Sequence, residues 1–280
     1  MSPRVARPAT AAALAVALGL ACLPACKKKA RPTEPDTPNP APNTGGPPPG
    51  PGPSTAGGRD PAAPPSPVFR SAAEAPMRAA ARNDLMQIML ALHSFHDTNN
   101  GLPAGFADKT GKPGLSWRVA VLPFLEQPGL FQQFKLDEPW DSEHNKALIG
   151  KMPAVFAPPR TSTNGYTFYR GFSGPNTWLP PLQQSARPGQ ALLGVRLTNI
   201  TDGTSNTILV AEAYEPVIWT KPEEVAFDPN NPPKLGGVFS SGFNVGMADG
   251  SVRFLRNGIS PKTLAAAIGI NDGNIVNLDD

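Results

Sequence analysis

The chain has 280 residues, 36 of them proline, and a net charge of +3 carried by scattered side chains. So small and dispersed a charge excludes a nucleic-acid footprint, and two cysteines, both ahead of residue 27, exclude a disulfide framework in the rest of the chain. Prolines crowd the stretch from Arg31 to Pro67, which has too little apolar surface to offset its ordering entropy. Roughly the last 200 residues remain to fold, enough for one domain with its own core.

The first segment, "MSPRVARPATAAALAVALGLACLPACKKK", sets Arg4 and Arg7 before an apolar run from Ala11 to Leu23, followed by small residues and a cysteine. That layout predicts an export signal too short to span a membrane. Leu23-Pro24-Ala25-Cys26 resembles a bacterial lipobox, in which the cysteine is lipidated and becomes the first mature residue. Cys22 competes for that role, but Gly19 three residues before it fits the pattern poorly. With no thiol elsewhere to pair with, Cys26 has a lipid role open to it and no disulfide role. Several acyl chains anchor stably where one does not, and Lys27, Lys28 and Lys29 would lie against anionic headgroups. Sorting rules that place aspartate after the cysteine of inner-membrane lipoproteins favour the outer membrane here, since Lys27 stands there. The Pro-rich run that follows is a spacer; in polyproline II geometry it reaches on the order of 100 Å. The expected division is residues 1–25 as signal peptide, 26–75 as lipidated cysteine and linker, and 76–280 as the folded domain.

The folded part opens with "PMRAAARNDLMQIMLALHSFHDTNN", where Leu85, Ile88, Met89, Leu92 and Phe95 recur at spacings of three and four. Such a stripe packs one helix face on a sheet. Pro76 suits a first helical turn, and Asn99-Asn100-Gly101 supplies a stop. His93 and His96, with Asp97 beside them, have the i, i+3 spacing of metal ligands, but spacing fixes no third ligand and both equally flank the buried stripe. Further on, "FKLDEPWDSEHN" gathers Asp137, Glu138, Asp141 and Glu143 around Trp140. Paired carboxylates beside an aromatic platform suit sugar hydrolysis. Pro139 and the N-cap chemistry of Asp141-Ser142 instead predict a short helix over Glu143 to Ile149.

Three Asp-Gly pairs, at Asp202, Asp249 and Asp272, interrupt runs of alternating apolar residues. The pair supplies the positive φ of a two-residue hairpin, so all three are expected to be β-meander corners. Calcium at Asp202 or Asp249 is the alternative, although no loop clusters the acidic ligands it takes. A last helix is predicted from Ser260 to Ile268, opened by Pro261. The chain carries no Gly-x-Ser-x-Gly elbow, Walker motif, dinucleotide fingerprint or zinc-ligand spacing.

"RNDLMQIMLALHSFHDTNNGLPAG", "GLSWRVAVLPFLEQPGLFQQFKLDEPWDSEHNKALIGKMPAVF", "YRGFSGPNTW", "LTNITDGTSNTILVAEA" and "GFNVGMADGSVRFL" together resemble, in this order, a large paralogous family of planctomycete bacteria. The likeness runs from Met77 to about Leu264. That family has no known biochemical function and is similar to type IV pilins and to pseudopilins of type II secretion. The resemblance implies an α+β, pilin-like fold: an N-terminal helix packed on an antiparallel β-sheet, with long Pro/Gly-rich loops. It also brings in calcium, which some pseudopilins hold near their C-termini.

Three departures matter. A lipobox replaces the usual prepilin helix. Phe239 occupies the histidine of a C-terminal His-x9-Asp-Gly motif whose Asp249-Gly250 remains, and Ala157 stands where relatives carry cysteine. The expected protein is a non-catalytic, membrane-anchored extracytoplasmic lipoprotein, needing no cofactor, with envelope or secretion proteins as partners and no nucleic acid. The alternative is a module binding glycan or solute through Trp117, Trp140, Trp178 and Tyr169.

Overall fold

The computed structural model describes residues 67–157, 165–179 and 186–274, with 276 and 278, and only the backbone of residues 67–73. All fall within one unit, Asp60–Asp280. Cys26 and the spacer lie outside the described residues.

The helix α1 (Pro67–Asn99) comes first, then strands β1 (Pro103–Ala107) and β2 (Pro113–Leu115). Three one-turn helices follow: α2 (Trp117–Ala120), α3 (Pro128–Phe131) and α4 (Glu143–Lys146). Next are β3 (Tyr166–Arg170), β4 (Phe172–Ser173), β5 (Ala191–Leu193), β6 (Ile208–Ile218) and β7 (Val225–Ala226). The hairpin β8 (Gly242–Met247) and β9 (Val252–Arg256) leads to α5 (Pro261–Ile268). Helices and antiparallel sheets make the domain α+β. The main sheet runs β3-β6-β8-β9, all antiparallel; β2-β1-β5 forms a smaller antiparallel sheet, and β4 pairs with β7 in parallel.

The main sheet is covered on both faces. Leu85, Ile88, Met89 and Leu92 of α1 are fully buried and Phe95 nearly so, as the stripe predicts. Each such side chain contributes about 1.5–3 kcal/mol by leaving water. Gly246 lets the helix approach closely: a Cβ there would lie 2.4 Å from Met89 Sδ. On the opposite face, Phe243, Val245, Met247 and Leu255 join Leu264, Ala267 and Ile268 of α5 in a second apolar cluster. Because β8 is sandwiched, all six of its residues are buried.

Helix α1 starts at Pro67, so Pro76 sits well inside it and not in the first turn. A long-range contact holds the added turns: Glu74, 3% exposed, accepts from the Ser240 backbone N–H and hydroxyl. Arg78 lies over the Phe254 ring, 4.8 Å from its centroid. The helix stops as predicted, with Asn100 left-handed at φ 58°. Helix α5 spans Pro261–Ile268, as expected for a helix opened by Pro261, and Ser260 caps it by accepting from Thr263 N–H. The helix expected over 143–149 ends at Lys146, and a 3-10 turn, Ile149–Lys151, follows.

Candidate functional site

The sequence-derived candidates do not converge on one site. Asp249-Gly250 joins β8 to β9, but as a three-residue loop. Gly250 N–H bonds to Met247 O at 2.9 Å, Met247 N–H bonds to Ser251 O at 2.8 Å, and Gly250 alone takes positive φ, at 88°. That is a type I turn closed by a glycine bulge, where a two-residue turn was expected. Asp249 Oδ1 accepts from Ser251 N–H. Beneath the loop lies His93, whose Nε2 is buried without a partner and would sit 3.5 Å from a Cβ on Gly250. His96 Nε2 accepts from the Leu197 N–H, which places its proton on Nδ1. Asp97 is exposed, 3.5 Å from that nitrogen.

Asp202-Gly203, unlike Asp249-Gly250, is not a hairpin corner. Asp202 is 4% exposed and accepts from the backbone N–H groups of Asp272 (2.7 Å) and Gly273 (3.0 Å). Two of the three Asp-Gly pairs thus meet, one clasping the other through one backbone donor to each carboxylate oxygen of Asp202. Among the described residues no three His, Cys, Asp or Glu side chains are grouped to hold a metal ion.

The acidic loop around Trp140 is tied from within. The Asn145 amide donates to the carbonyls of Lys135, Glu138 and Pro139, and Lys109 lies 3.4 Å from Glu138. Trp140 is half-buried beside the Lys221 ammonium. The other three rings of the expected binding groove are in the core: Trp117, Trp178 and Tyr169 are at most 1% exposed. A ligand groove built on those aromatics is therefore absent; their apolar area was worth more inside.

Two buried polar clusters stand out instead, neither visible from spacing. Between α1 and the main sheet, Glu212 of β6 is 2% exposed and accepts from Asn244 N–H (2.7 Å) and Nδ2 (2.9 Å) on β8. Burial raises its carboxyl from 4.5 to about 7, against the two hydrogen bonds. Tyr169, opposite it on β3, donates to Ala81 O of α1; burial, then Glu212 and Asp84, push its phenol up. Asp84 of α1 is raised from 3.8 to about 6 by burial.

The second cluster is ionic. Arg118 of α2 is fully buried and forms a bidentate pair with Glu224, Nη1 to Oε1 at 2.9 Å and Nη2 to Oε2 at 3.0 Å. It also donates to Tyr169 O and Ser116 Oγ. Gly171 N–H adds a 2.6 Å bond to Glu224 Oε2. Burial lowers the guanidinium below its usual value and Glu224 opposes that shift. Such a pair is retained only with good geometry, since each ion loses several kcal/mol of hydration. Beside it opens a cavity of about 150 Å³ lined by Glu224, Trp117, Ser173, Ala104, Leu179 and Pro222.

No described helix is long and apolar enough to cross a membrane. No curated protein and no solved structure matches the chain. One family model does match, over residues 70–237, from within α1 to the segment before β8, and the chain belongs to that family, described as protein of unknown function (DUF1559).

Proposed function

We propose that this chain is a non-catalytic exported lipoprotein whose pseudopilin-like domain has a structural or assembly role in the cell envelope or its secretion machinery. Lipid on Cys26 holds it to a membrane, the outer one by the sorting pattern, and the Pro-rich run displays the domain away from the surface. The observation that carries this reading is the architecture: a 33-residue helix laid across a four-stranded antiparallel sheet. A second support is the use made of the polar groups. The buried carboxylates, Arg118 and the histidine His96 bond to backbone and to one another, as framework residues do. Crosslinking in living cells, followed by purification of the tagged full-length protein, tests the role. Recovery of pseudopilins or secretion-channel proteins, absent from an untagged control, is expected; recovery of none would overturn it.

A further inference from the structure

The cleft between β6, β7 and the loop before β8 contains a cation that the fold leaves poorly paired. Arg170, the last residue of β3, is 8% exposed. Its guanidinium has five N–H donors, yet Nη1 makes one long bond, 3.3 Å to Glu215 O, and Nε is buried with no acceptor. Nη2 makes no hydrogen bond: Glu223 Oε1, at 3.8 Å, lies beyond that range, and Glu223 is held closer by Lys221. Unlike Nε, Nη2 is not sealed from solvent. Arg118 nearby shows what a satisfied guanidinium looks like in this fold, with four bonds to Tyr169 O, Ser116 Oγ and both oxygens of Glu224. The groups that flank the Nη atoms of Arg170, Glu215 O and the Glu223 carboxylate, belong to residues that line an open cleft of about 460 Å³. The tip of the guanidinium is therefore presented to that cleft.

The charge balance of the cleft defines its guest. Arg118 is paired with Glu224 and Lys221 with Glu223. The charges left around the cleft are Arg170, Lys234 and Glu215, one positive in excess. A neutral molecule would leave that excess unpaired, and a dianion would bring an unpaired charge of its own. The rest of the wall is apolar: Val225 and Ala226 of β7, Pro233, and the ring of Tyr214. Tyr214 is 59% exposed and its ring lies against Gly237, where a Cβ would sit 3.1 Å from Cδ2. An aromatic ring held in this way offers a flat body a surface to stack on. We infer that the cleft binds a small molecule carrying one carboxylate on a flat apolar body, the carboxylate on Arg170 and Lys234 and the body against Tyr214. Arginine's planar fork matches a carboxylate in charge and geometry. Such binding stands whether or not the domain acts in envelope assembly.

Benzoate is the probe, with benzamide as the control of the same shape and no charge. The full-length chain is labelled with ring-¹³C tyrosine, giving signals from its three tyrosines, and Tyr214→Phe identifies the one that matters. Benzoate at millimolar concentration is expected to shift the Tyr214 ring signals saturably and leave in place those of Tyr166, exposed at the start of β3. Benzamide should bind about tenfold more weakly or worse, and so should benzoate to Arg170→Lys, which keeps a cation but loses the planar fork. Should that variant lose its Tyr169 signals, and with them its fold, contacts between benzoate ring protons and the Val225 methyls of the wild-type protein serve instead. Unmoved Tyr214 signals would overturn the assignment. So would equal affinity for benzamide, a Tyr166 shift as large as that of Tyr214, unweakened binding to a folded Arg170→Lys, or the absence of benzoate contacts at Val225.

Discussion

Replacing Glu212 with glutamine should make the protein more stable at pH 8 while changing little at pH 4.5. The folded chain holds the Glu212 proton up to about pH 7, whereas the unfolded chain releases it near 4.5. Between those values the native state binds more protons than the unfolded one, so stability falls as pH rises. Below 4.5 the contribution is complete, and above 7 it has been lost. At 1.36 kcal/mol per unit, the loss across this window is about 3 kcal/mol, the Asn244 hydrogen bonds already holding the carboxyl below where burial alone would put it. Glutamine keeps an acceptor for the Asn244 N–H and meets its side-chain amide once that amide turns over. Asn244 on β8 and Tyr169 on β3 face Glu212; Asp84 on α1 acts on the same Tyr169, and of these groups Asp84 titrates in the same window. The lowered carboxyls of Asp108 and Glu223 act further down, below their ordinary values. Denaturant midpoints of wild type and Glu212→Gln, taken at half-unit steps from pH 4.5 to 8, isolate the effect as a difference. A difference that does not change with pH would refute the reasoning, as would a wild type that gains stability from pH 5 to pH 7.

Other outcomes follow from the packing. Arg118→Met or Glu224→Leu alone should cost about 3–5 kcal/mol by stranding a buried charge, while the double variant should recover most of it; chemical denaturation of all three checks this cycle. Asp202→Ala should lower stability by about 1–3 kcal/mol and speed hydrogen exchange at Asp272 and Gly273, whose N–H groups lose their acceptor; exchange confined to other segments would argue against the clasp. Gly246→Ala should destabilise by about 1–3 kcal/mol through its clash with Met89, and Met89→Ala in the same chain should relieve part of that cost in thermal unfolding.

Local chemistry was legible in the chain and long-range pairing was not. The α1 stripe, its Asn100 stop, the last helix opened by Pro261 and the turn at Asp249-Gly250 each depend on residues within a few positions of one another. The start of α1 was missed because Glu74 is secured by Ser240, far along the sequence. Arg118 and Glu224 lie 106 residues apart, so neither periodicity nor motif spacing announces their pairing. Asp202 resembled its neighbour pair at Asp249 in sequence, yet it turns inward because a second Asp-Gly turn, at Asp272, offers it two backbone donors. The aromatic residues were ambiguous for a simpler reason: a tryptophan that lines a groove and one that fills a core look alike until burial is known, and Trp117 does some of both. A signal for the cavity did exist in "LSWRVAV", where an arginine interrupts an apolar run that packs internally.

The central claim, a folded domain carried on a lipid at Cys26, is tested most directly by growing cells on a labelled fatty acid and comparing the wild-type chain with Cys26→Ala. The wild type should incorporate label and sediment with membranes, and the variant should do neither while keeping its folded domain. Label retained by Cys26→Ala, or a wild-type protein that is unlabelled and soluble, would contradict the account.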